Sequence, residues 1–277
     1  MPNFAIPHLG LRQQPPFRLG LALSGGGSRG FAHLGALLAL EHAGLRPDLI
    51  AGVSAGSVAA VLYAAGLRPM QIVEAFKGSS FLSFTGIAGN RGGLFKLDKF
   101  RAFLRRHTGV KLIEELKIPT VVCATDFDHG TPEAFSHGMI DECVAASCCI
   151  PIVFRPITIG GTRYVDGGLL HNLPAWAIRH RCRYLIGINV SPLPAPDTRD
   201  SFISTAMRTY KLVAHSNASA DTGLCDLLIE TREIAEVGVF ELDEIDRTVR
   251  AGYDAALAAL TEAGLHPLQP GDAPPKL

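Results

Sequence analysis

The stretch LALSGGGSRGFAHLGAL, residues 21–37, decides the fold: an apolar run leads into a knot of glycines and then into a helical pattern. The segment DLIAGVSAGSVAAVLYAAGL, residues 48–67, repeats the order of apolar strand, Gly/Ser turn and apolar helix. Two consecutive units of this kind imply neighbouring parallel strands joined by right-handed crossovers. The sequence therefore predicts an α/β fold, with a mainly parallel central sheet between two layers of helices (α/β/α).

The rest of the chain extends this sheet. Apolar runs predict further strands at 119–124 and 184–190, and ITIGGTRYVDGG predicts a hairpin with a Gly-Gly turn. Helical patterns recur at 98–107, 141–148, 173–181, 200–218 and 241–262. No linker stands out, so we expect one domain over 18–265, a loose Pro-rich arm at 1–17 and a flexible tail at 266–277.

Composition narrows the class of protein. Apolar residues make up 47% of the chain and charged residues 19%, which argues against disorder. Lysine plus arginine equals aspartate plus glutamate at 26 each, so the basic face of a nucleic-acid binder is not indicated. Six cysteines without a CxxC pattern are typical of reduced core thiols. With no signal-peptide pattern and no membrane-spanning run, we expect a cytoplasmic location.

The glycine loop first suggests a dinucleotide. Gly25, Gly27 and Gly30 satisfy G-x-G-x-x-G between a strand and a helix. That interpretation also requires an acidic residue at the carboxyl end of the next strand. The nearest acid, Asp48, stands before the apolar run LIAGV and so at the wrong end. A P-loop is disfavoured as well, because no Gly-Lys-Ser/Thr follows the glycines.

The segment at the carboxyl end of that strand is Gly52–Val53–Ser54–Ala55–Gly56, which matches G-x-S-x-G, the nucleophile elbow. A sharp strand-to-helix turn forces the serine into a strained backbone conformation, and the flanking glycines remove side-chain clashes. The hydroxyl of Ser54 then projects at the positive end of the following helix. The position between a buried strand and a helix supports Ser54 as a nucleophile.

The glycine loop acquires a role beside this elbow. Parallel strands bring their carboxyl ends to one edge of a sheet, so Gly25–Gly27 are expected next to Ser54. Unpaired N–H groups at a helix start can stabilise an acyl oxyanion, and glycines let that oxygen approach. Arg29 would fix or charge the loop. The alternative is a glycine loop needed only for tight packing.

A serine nucleophile needs a base. His215 lies within a helical pattern, His266 lies at the edge of the tail, and His33 is expected to pack within a helix. Asp166 in VDGG is the better candidate, because it lies at the end of a hairpin strand and two glycines follow it, so its carboxylate could reach Ser54. An aspartate is weakly basic at pH 7, so the site must desolvate it. The alternative for Asp-Gly-Gly alone is an ordinary turn.

Two further segments attract attention. Asp126, Asp128 and His129 suggest a metal site at first, but a turn after a strand is the favoured interpretation because no further ligands cluster there. Residues 78–97 are apolar and Gly-rich without clear periodicity, as in a lid or a packed loop. The first interpretation predicts a lid or a lipid contact, and the second predicts a segment that only packs.

Three motifs thus stand in the order GGGSRG, GVSAG and DGG. Together they resemble the patatin-like phospholipase family, lipid acyl hydrolases with a Ser–Asp dyad on an α/β core. ATDFDHGTPEAFSHG and ASCCIPIVFRPITIGGTRYVDGGLLHNLPA resemble the segments with which that family supports the Asp hairpin. The likeness runs from residue 18 to 190 and is greatest to compact bacterial members and to the esterase domain of neuropathy-target-esterase relatives.

The resemblance implies Ser54 as nucleophile and Asp166 as base, with Gly25, Gly26, Gly27, Arg29 and Ala55 around the oxyanion. It implies a lipid ester substrate and neither metal nor organic cofactor. With such a substrate, we expect residues 78–97 to admit acyl chains and to touch a membrane surface transiently. Two alternatives stay open: an idle protein that binds acyl chains, and a nucleotide-dependent enzyme using the glycine loop. Head group, acyl length and oligomeric state are not specified by the sequence.

Overall fold

A computed structural model describes residues 15–79, 81–87, 93–193 and 201–265. The expected tail at 266–277 and residues 1–14 of the expected arm lie outside these ranges, while the first strand already begins at Phe17. The strands are β1 (Phe17–Leu23), β2 (Leu49–Val53), β3 (Gly86–Ile87), β4 (Phe95–Lys96), β5 (Thr120–Asp126), β6 (Thr131–Phe135), β7 (Ile157–Ile159), β8 (Thr162–Asp166), β9 (Cys182–Asn189) and β10 (Leu227–Glu230). The helices are α1 (Phe31–His42), α2 (Ala55–Ala64), α3 (Pro69–Phe76), α4 (Phe81–Phe84), α5 (Asp98–Thr108), α6 (Ile140–Ser147), α7 (Ala175–Ile178), α8 (Phe202–Thr222) and α9 (Ile245–Glu262).

The main sheet is mixed, with a parallel centre. Strands β10, β9, β1, β2 and β5 pair in that order and are all parallel. The antiparallel strands β6 and β8 then pair with β5, and β7 pairs with β8. The expected α/β fold with a mainly parallel centre is confirmed. The sequence analysis did not anticipate β6 and β10.

Helices cover both faces of this sheet, because alternate residues of the central strands enter two separate cores. Leu21 and Leu23 of β1 join one buried cluster, together with side chains of α1, α2 and α9. Ala22, between them, joins a second cluster with α7 and with Ala218 of α8. Since every residue of β2 is buried, it is an interior strand with helices on both sides. These are the three layers that the sequence predicts.

The predicted hairpin and helices also form. The turn between β7 and β8 consists of Gly160 and Gly161, and both have positive φ, as a tight two-residue hairpin turn requires. Residues 98–107 and 141–148 correspond closely to α5 and α6. The 173–181 pattern divides into the short α7 and a 3₁₀ turn. Within the described ranges, no helix is long and apolar enough to cross a membrane.

Helices α1 and α9 touch backbone to backbone. A Cβ atom on Gly252 of α9 would lie 2.0 Å from the carbonyl oxygen of Ala32, and one on Gly35 of α1 would lie 1.9 Å from that of Val249. Both glycines are interior to their helices, where glycine is ordinarily unfavourable. Their place here is explained by the close approach of the two helices.

Candidate active site

Ser54 occupies a sharp turn between β2 and α2. Its backbone has φ 50° and ψ −123°, a conformation that costs free energy in any residue with a side chain. Gly52 and Gly56 let the chain fold this tightly. A Cβ atom on Gly52 would lie 2.4 Å from the carbonyl oxygen of Gly56, and one on Gly56 would lie 2.2 Å from that of Leu23. The motif therefore has the backbone geometry of a nucleophile elbow.

Strand β5 brings Ser54 and Asp166 together. Val53, the residue before Ser54, is the register partner of Cys123 on β5. Asp166 is the partner of Ala124, the next residue along the same strand. Neighbouring strands lie about 4.8 Å apart. Because Ser54 and Asp166 both lie beside the same end of β5, their side chains are within reach of each other at one edge of the sheet. The two candidate residues thus meet through a strand that belongs to neither motif.

Two serines that the sequence analysis did not assign to the site hold the elbow in place. The hydroxyl of Ser147 accepts a hydrogen bond from the Ser54 N–H at 2.8 Å and donates one to the carbonyl of Cys123 at 2.6 Å. The hydroxyl of Ser57 donates to the carbonyl of Ser54 at 2.6 Å. Ser147 belongs to the quoted segment ASCCIP, yet no spacing rule in the sequence links it to Ser54.

The carboxylate of Asp166 is fully buried. Its Oδ1 accepts a hydrogen bond from the N–H of Gly168 at 2.8 Å, while Oδ2 makes no hydrogen bond of normal geometry to the described residues. Burial raises the pKa of Asp166 from 3.8 to about 6, because the charged form loses its hydration. The Gly168 N–H and the nearby hydroxyls of Ser54 and Tyr210 oppose that rise. Asp166 is thus a stronger base than an exposed aspartate.

The glycine loop lies directly against the elbow. A Cβ atom on Gly25 would stand 3.2 Å from Cβ of Ser54 and 2.5 Å from the side-chain oxygen of Asn172. The N–H of Gly25, however, donates to the backbone carbonyl of Asn172 at 3.0 Å. The N–H groups of Gly26, Gly27 and Ala55 make no hydrogen bond to the described residues. Gly25 therefore allows close approach, and the other three have N–H groups available for an oxyanion.

Arg29 is buried behind the loop. Only 3% of it is exposed, and its Nε donates to the carbonyl of Gly26 at 3.3 Å. It forms no ion pair with any residue that the structure describes. Burial lowers its pKa from 12.5 to about 10, which leaves the guanidinium charged at pH 7. A buried charge without a carboxylate partner is costly, so its position suits a site that receives an anion or a developing negative charge.

Ser54 lies where two cavities meet. The larger one, of about 170 Å³, is apolar and is lined by α1, α2, α3 and α5. Its aromatic wall consists of Phe31, Phe76, Phe84, Phe100, Phe154 and Phe240. The smaller cavity, of about 20 Å³, has a mixed lining, and we call it the polar cavity because, of the two, it alone is lined by charged side chains. Its polar lining includes Arg29, Asp166, Asn172, Ser191, Tyr210 and Lys211.

Residues 21–178 match the family model described as patatin-like phospholipase. The chain belongs to the patatin-like phospholipase family. This is a family of lipid hydrolases, and the resemblance seen in the sequence is confirmed.

Curated relatives point in the same direction. An uncharacterized NTE family protein of Mycobacterium tuberculosis is 33% identical over 159 residues, covering 57% of this chain and 44% of that protein. Lysophospholipase NTE1 of Debaryomyces hansenii is 28% identical over 242 residues, covering 81% of this chain and 15% of that protein. The patatin-like chain therefore spans less than half the length of these relatives.

A solved structure supports the fold. VipD from Legionella pneumophila superposes with a TM-score of 0.59 at 17% identity, covering 90% of this chain and 67% of that chain. At this identity the likeness extends to the fold alone. The patatin-like fold assigned to the chain from its sequence is therefore confirmed.

The other candidate bases of the patatin-like chain have structural surroundings. His33 is buried and neutral, since burial lowers its pKa to about 4, and its Nε2 donates to the carbonyl of Ser24 at 2.8 Å. His215 lies 3.2 Å from the carbonyl of Ser191 through its Nδ1. Neither makes a hydrogen bond to Ser54 in the described part of the chain, and His266 lies outside it.

The acidic segment after β5 forms a turn. Asp126 accepts from the ring of His129 at 2.8 Å, and Asp128 accepts from Arg163 at 2.7 Å. Among the described residues, no group of three or more His, Cys, Asp or Glu is placed to hold a metal ion. These side chains stabilise the turn between β5 and β6 through their own ion pairs.

Proposed function

We propose that this chain is a serine lipid acyl hydrolase in which Ser54 is the nucleophile and Asp166 is its base. The observation that carries the proposal is the pairing of Val53 and Asp166 with consecutive residues of β5, which sets a strained serine beside a buried carboxylate. A buried carboxylate with a raised pKa next to a nucleophile is an arrangement expected of catalysis.

The first half of the reaction forms an acyl-enzyme. Ser54 Oγ attacks the acyl carbonyl carbon while Asp166 accepts the hydroxyl proton. With a pKa of about 6, Asp166 is mostly ionised at pH 7 and yet basic enough to take that proton. The N–H groups of Gly26, Gly27 and Ala55 stabilise the tetrahedral oxyanion. As this intermediate collapses, the alcohol departs with the proton from Asp166, and the acyl group stays on Ser54.

The second half returns the enzyme to its starting state. Asp166 accepts a proton from a water molecule as that water attacks the acyl carbonyl. The new tetrahedral oxyanion accepts hydrogen bonds from the same N–H groups, and its collapse releases the fatty acid. The departing Ser54 oxygen takes back its proton from Asp166. Every step uses protein groups and water, so the proposed mechanism requires neither metal nor organic cofactor.

The two cavities suggest how a lipid ester would bind. The acyl chain occupies the apolar cavity, and the alcohol side of the ester faces the polar cavity that contains Arg29. Phe84, Thr85 and Leu97 give the 78–97 segment a part of the apolar wall. This contribution supports the expectation that the segment receives acyl chains.

We propose a transient membrane contact near the same segment. Leu94 and Ile152 are large apolar residues, with 47% and 45% of their surfaces exposed. They belong to neighbouring chain segments, because the N–H of Leu94 donates to the carbonyl of Val153 at 3.0 Å. An apolar surface beside the acyl cavity is suited to a substrate that leaves a bilayer.

The nucleotide alternative is less well supported. Asp48, the acid nearest the loop, accepts a hydrogen bond from the N–H of Leu19 at 2.9 Å, beside the amino end of β2. It thus lies at the end of the strand away from Ser54. The Gly25 N–H is already bonded to Asn172. The second alternative, an idle protein that binds acyl chains, is separated from the enzyme by experiment.

The test is active-site labelling with a fluorophosphonate probe, followed by peptide mass spectrometry. Wild type is compared with Ser54→Ala, Asp166→Asn and the exposed control Asp254→Asn. We expect an adduct on Ser54 in wild type and a labelling rate at least about 100-fold lower in Asp166→Asn. The labelling rate of the control should equal that of wild type. A folded wild type without an adduct on Ser54 would favour the idle protein. Labelling that survives Asp166→Asn would assign the base elsewhere.

A further inference from the structure

Helix α8 lies outside the residues that match the family model, yet it packs on the loop that follows Asp166. Tyr210, Asn217 and Asp221 are spaced by seven and four residues, so they share one face of the helix. All three contact the DGG loop or the residues just after it. This face of α8 therefore forms part of the surroundings of Asp166.

Two of these side chains fasten the helix to the loop. The Asn217 amide donates to the carbonyl of Gly168 at 2.9 Å and accepts from the N–H of Asn172 at 2.7 Å. Asp221 accepts from the ring of His171 at 2.8 Å and from the N–H of Trp176 at 3.1 Å. These four hydrogen bonds fix α8 relative to the backbone that carries Asp166.

The third side chain reaches the carboxylate region. A Cβ atom on Gly168 would lie 2.5 Å from the hydroxyl of Tyr210 and 3.2 Å from Oδ1 of Asp166. The two oxygens therefore both lie close to the position that a Cβ atom of residue 168 would occupy. Only a glycine leaves that position empty. Both side chains line the small polar cavity together with Ser54. Oδ2 of Asp166, meanwhile, has no hydrogen bond of normal geometry to the described residues.

We propose that Tyr210 is a positioning residue, whose hydroxyl donates to the carboxylate of Asp166 and holds it toward Ser54. The inference rests on the proposed roles of Ser54 and Asp166. A hydroxyl that donates to a carboxylate stabilises its ionised form and lowers its pKa. Burial and the nearby Asp166 raise the pKa of Tyr210 well above its usual value, so the phenol keeps its proton and remains a donor.

The surroundings of Asp166 leave Tyr210 as the neutral donor from α8. Cys148 and Cys149, which follow α6, also face Asp166, but burial raises the pKa of both thiols, so they stay uncharged. Arg29 and Lys211 line the same polar cavity and bring positive charge to it. Because these groups are unchanged when the Tyr210 hydroxyl is removed, a pH profile can isolate the effect of that hydroxyl.

The experiment measures the rate of fluorophosphonate labelling of Ser54 between pH 4.5 and 8.5, using the full chain. Wild type should show an acid limb with its midpoint near 6, the pKa of Asp166. In Tyr210→Phe we expect the midpoint to move up by about one pH unit, with labelling at pH 5 slower by about tenfold. The control is Tyr184→Phe, a partly buried tyrosine on β9 outside both cavities, whose midpoint should match wild type.

Tyr210→Met provides a second variant that lacks the hydroxyl but keeps an apolar side chain, and it should shift the midpoint in the same direction. Melting temperatures establish that each variant is folded. An unchanged or lowered midpoint in folded variants, even with a slower plateau, would reduce Tyr210 to a space-filling residue and overturn the inference. A folded wild type with no adduct on Ser54 would overturn the proposed function, and this inference with it.

Discussion

Burial of Asp166 should destabilise the folded protein at neutral pH but not in acid. Its pKa is 3.8 in an unperturbed chain and about 6 in the fold. This rise corresponds to about 3 kcal/mol at ~1.36 kcal/mol per pKa unit. Between pH 3.8 and 6 the folded Asp166 carboxyl binds more protons than the unfolded one, so the contribution of this residue to stability falls as the pH rises. Above pH 6 the whole penalty is present, and below 3.8 it vanishes.

The variant Asp166→Asn removes this penalty, since an amide keeps an acceptor for the Gly168 N–H but carries no charge. We expect its free energy of unfolding at pH 8 to exceed that of wild type by up to about 3 kcal/mol. The excess should shrink towards zero as the pH approaches 4. The variant would thus be more stable and, on the proposed mechanism, inactive.

Urea unfolding followed by circular dichroism at intervals between pH 4 and 8 provides the assay. The control Asp254→Asn alters an exposed carboxylate on α9 and should stay within about 0.5 kcal/mol of wild type throughout. Two results would refute the reasoning: an Asp166→Asn variant no more stable than wild type at pH 8, or a stability difference that does not change with pH. Either result would mean that burial of the ionised Asp166 carboxylate does not destabilise the folded state.

Three other changes test the packing and the site. Gly252→Ala should lower the free energy of unfolding by about 3 kcal/mol, even though alanine normally favours a helix, because its Cβ would meet the backbone of α1. The control Gly223→Ala, whose Cβ meets nothing within 4 Å, should be neutral in urea unfolding. Ser147→Ala leaves the Ser54 N–H without its acceptor, so both the melting temperature and the labelling rate should fall; an unchanged rate would remove Ser147 from the site. Ala59→Phe narrows the apolar cavity and should slow hydrolysis of long-chain esters at least about tenfold while sparing acetate esters, and equal loss on both would argue against that cavity as the acyl site.

The parts of the fold that could be predicted are those specified by local sequence. A glycine turn between an apolar strand and an apolar helix is sufficient to identify β1, β2 and the elbow at Ser54. The strands that were missed depend on their neighbours. Thr131–Phe135 contains a proline and a glutamate and has no fully buried residue, and it forms a strand because β5 offers it an edge. Such an edge pairing leaves little trace in local hydrophobicity.

The candidate site divides in the same way. Ser54 and Asp166 stand in motifs whose shape requires their residue types, so the sequence indicates both. Ser147 and Tyr210 contribute a single hydroxyl each, and a hydroxyl in a helix is ordinary until the fold brings it to a partner. The bond from the Gly25 N–H to Asn172 also depends on tertiary structure. It takes away one of the N–H groups that the sequence analysis had placed around the oxyanion.

The meeting of two cavities at Ser54 has a consequence for turnover. On the proposed mechanism, the alcohol leaves from the polar side after the first half-reaction, whereas the acyl group remains in a cavity walled by aromatic rings. The fatty acid must then be extracted from that apolar space before another substrate can bind. Release of the fatty acid, which a nearby bilayer favours by dissolving it, would limit the rate of turnover. Free fatty acids would accordingly act as competitive product inhibitors, and vesicles would relieve the inhibition by drawing the acid away.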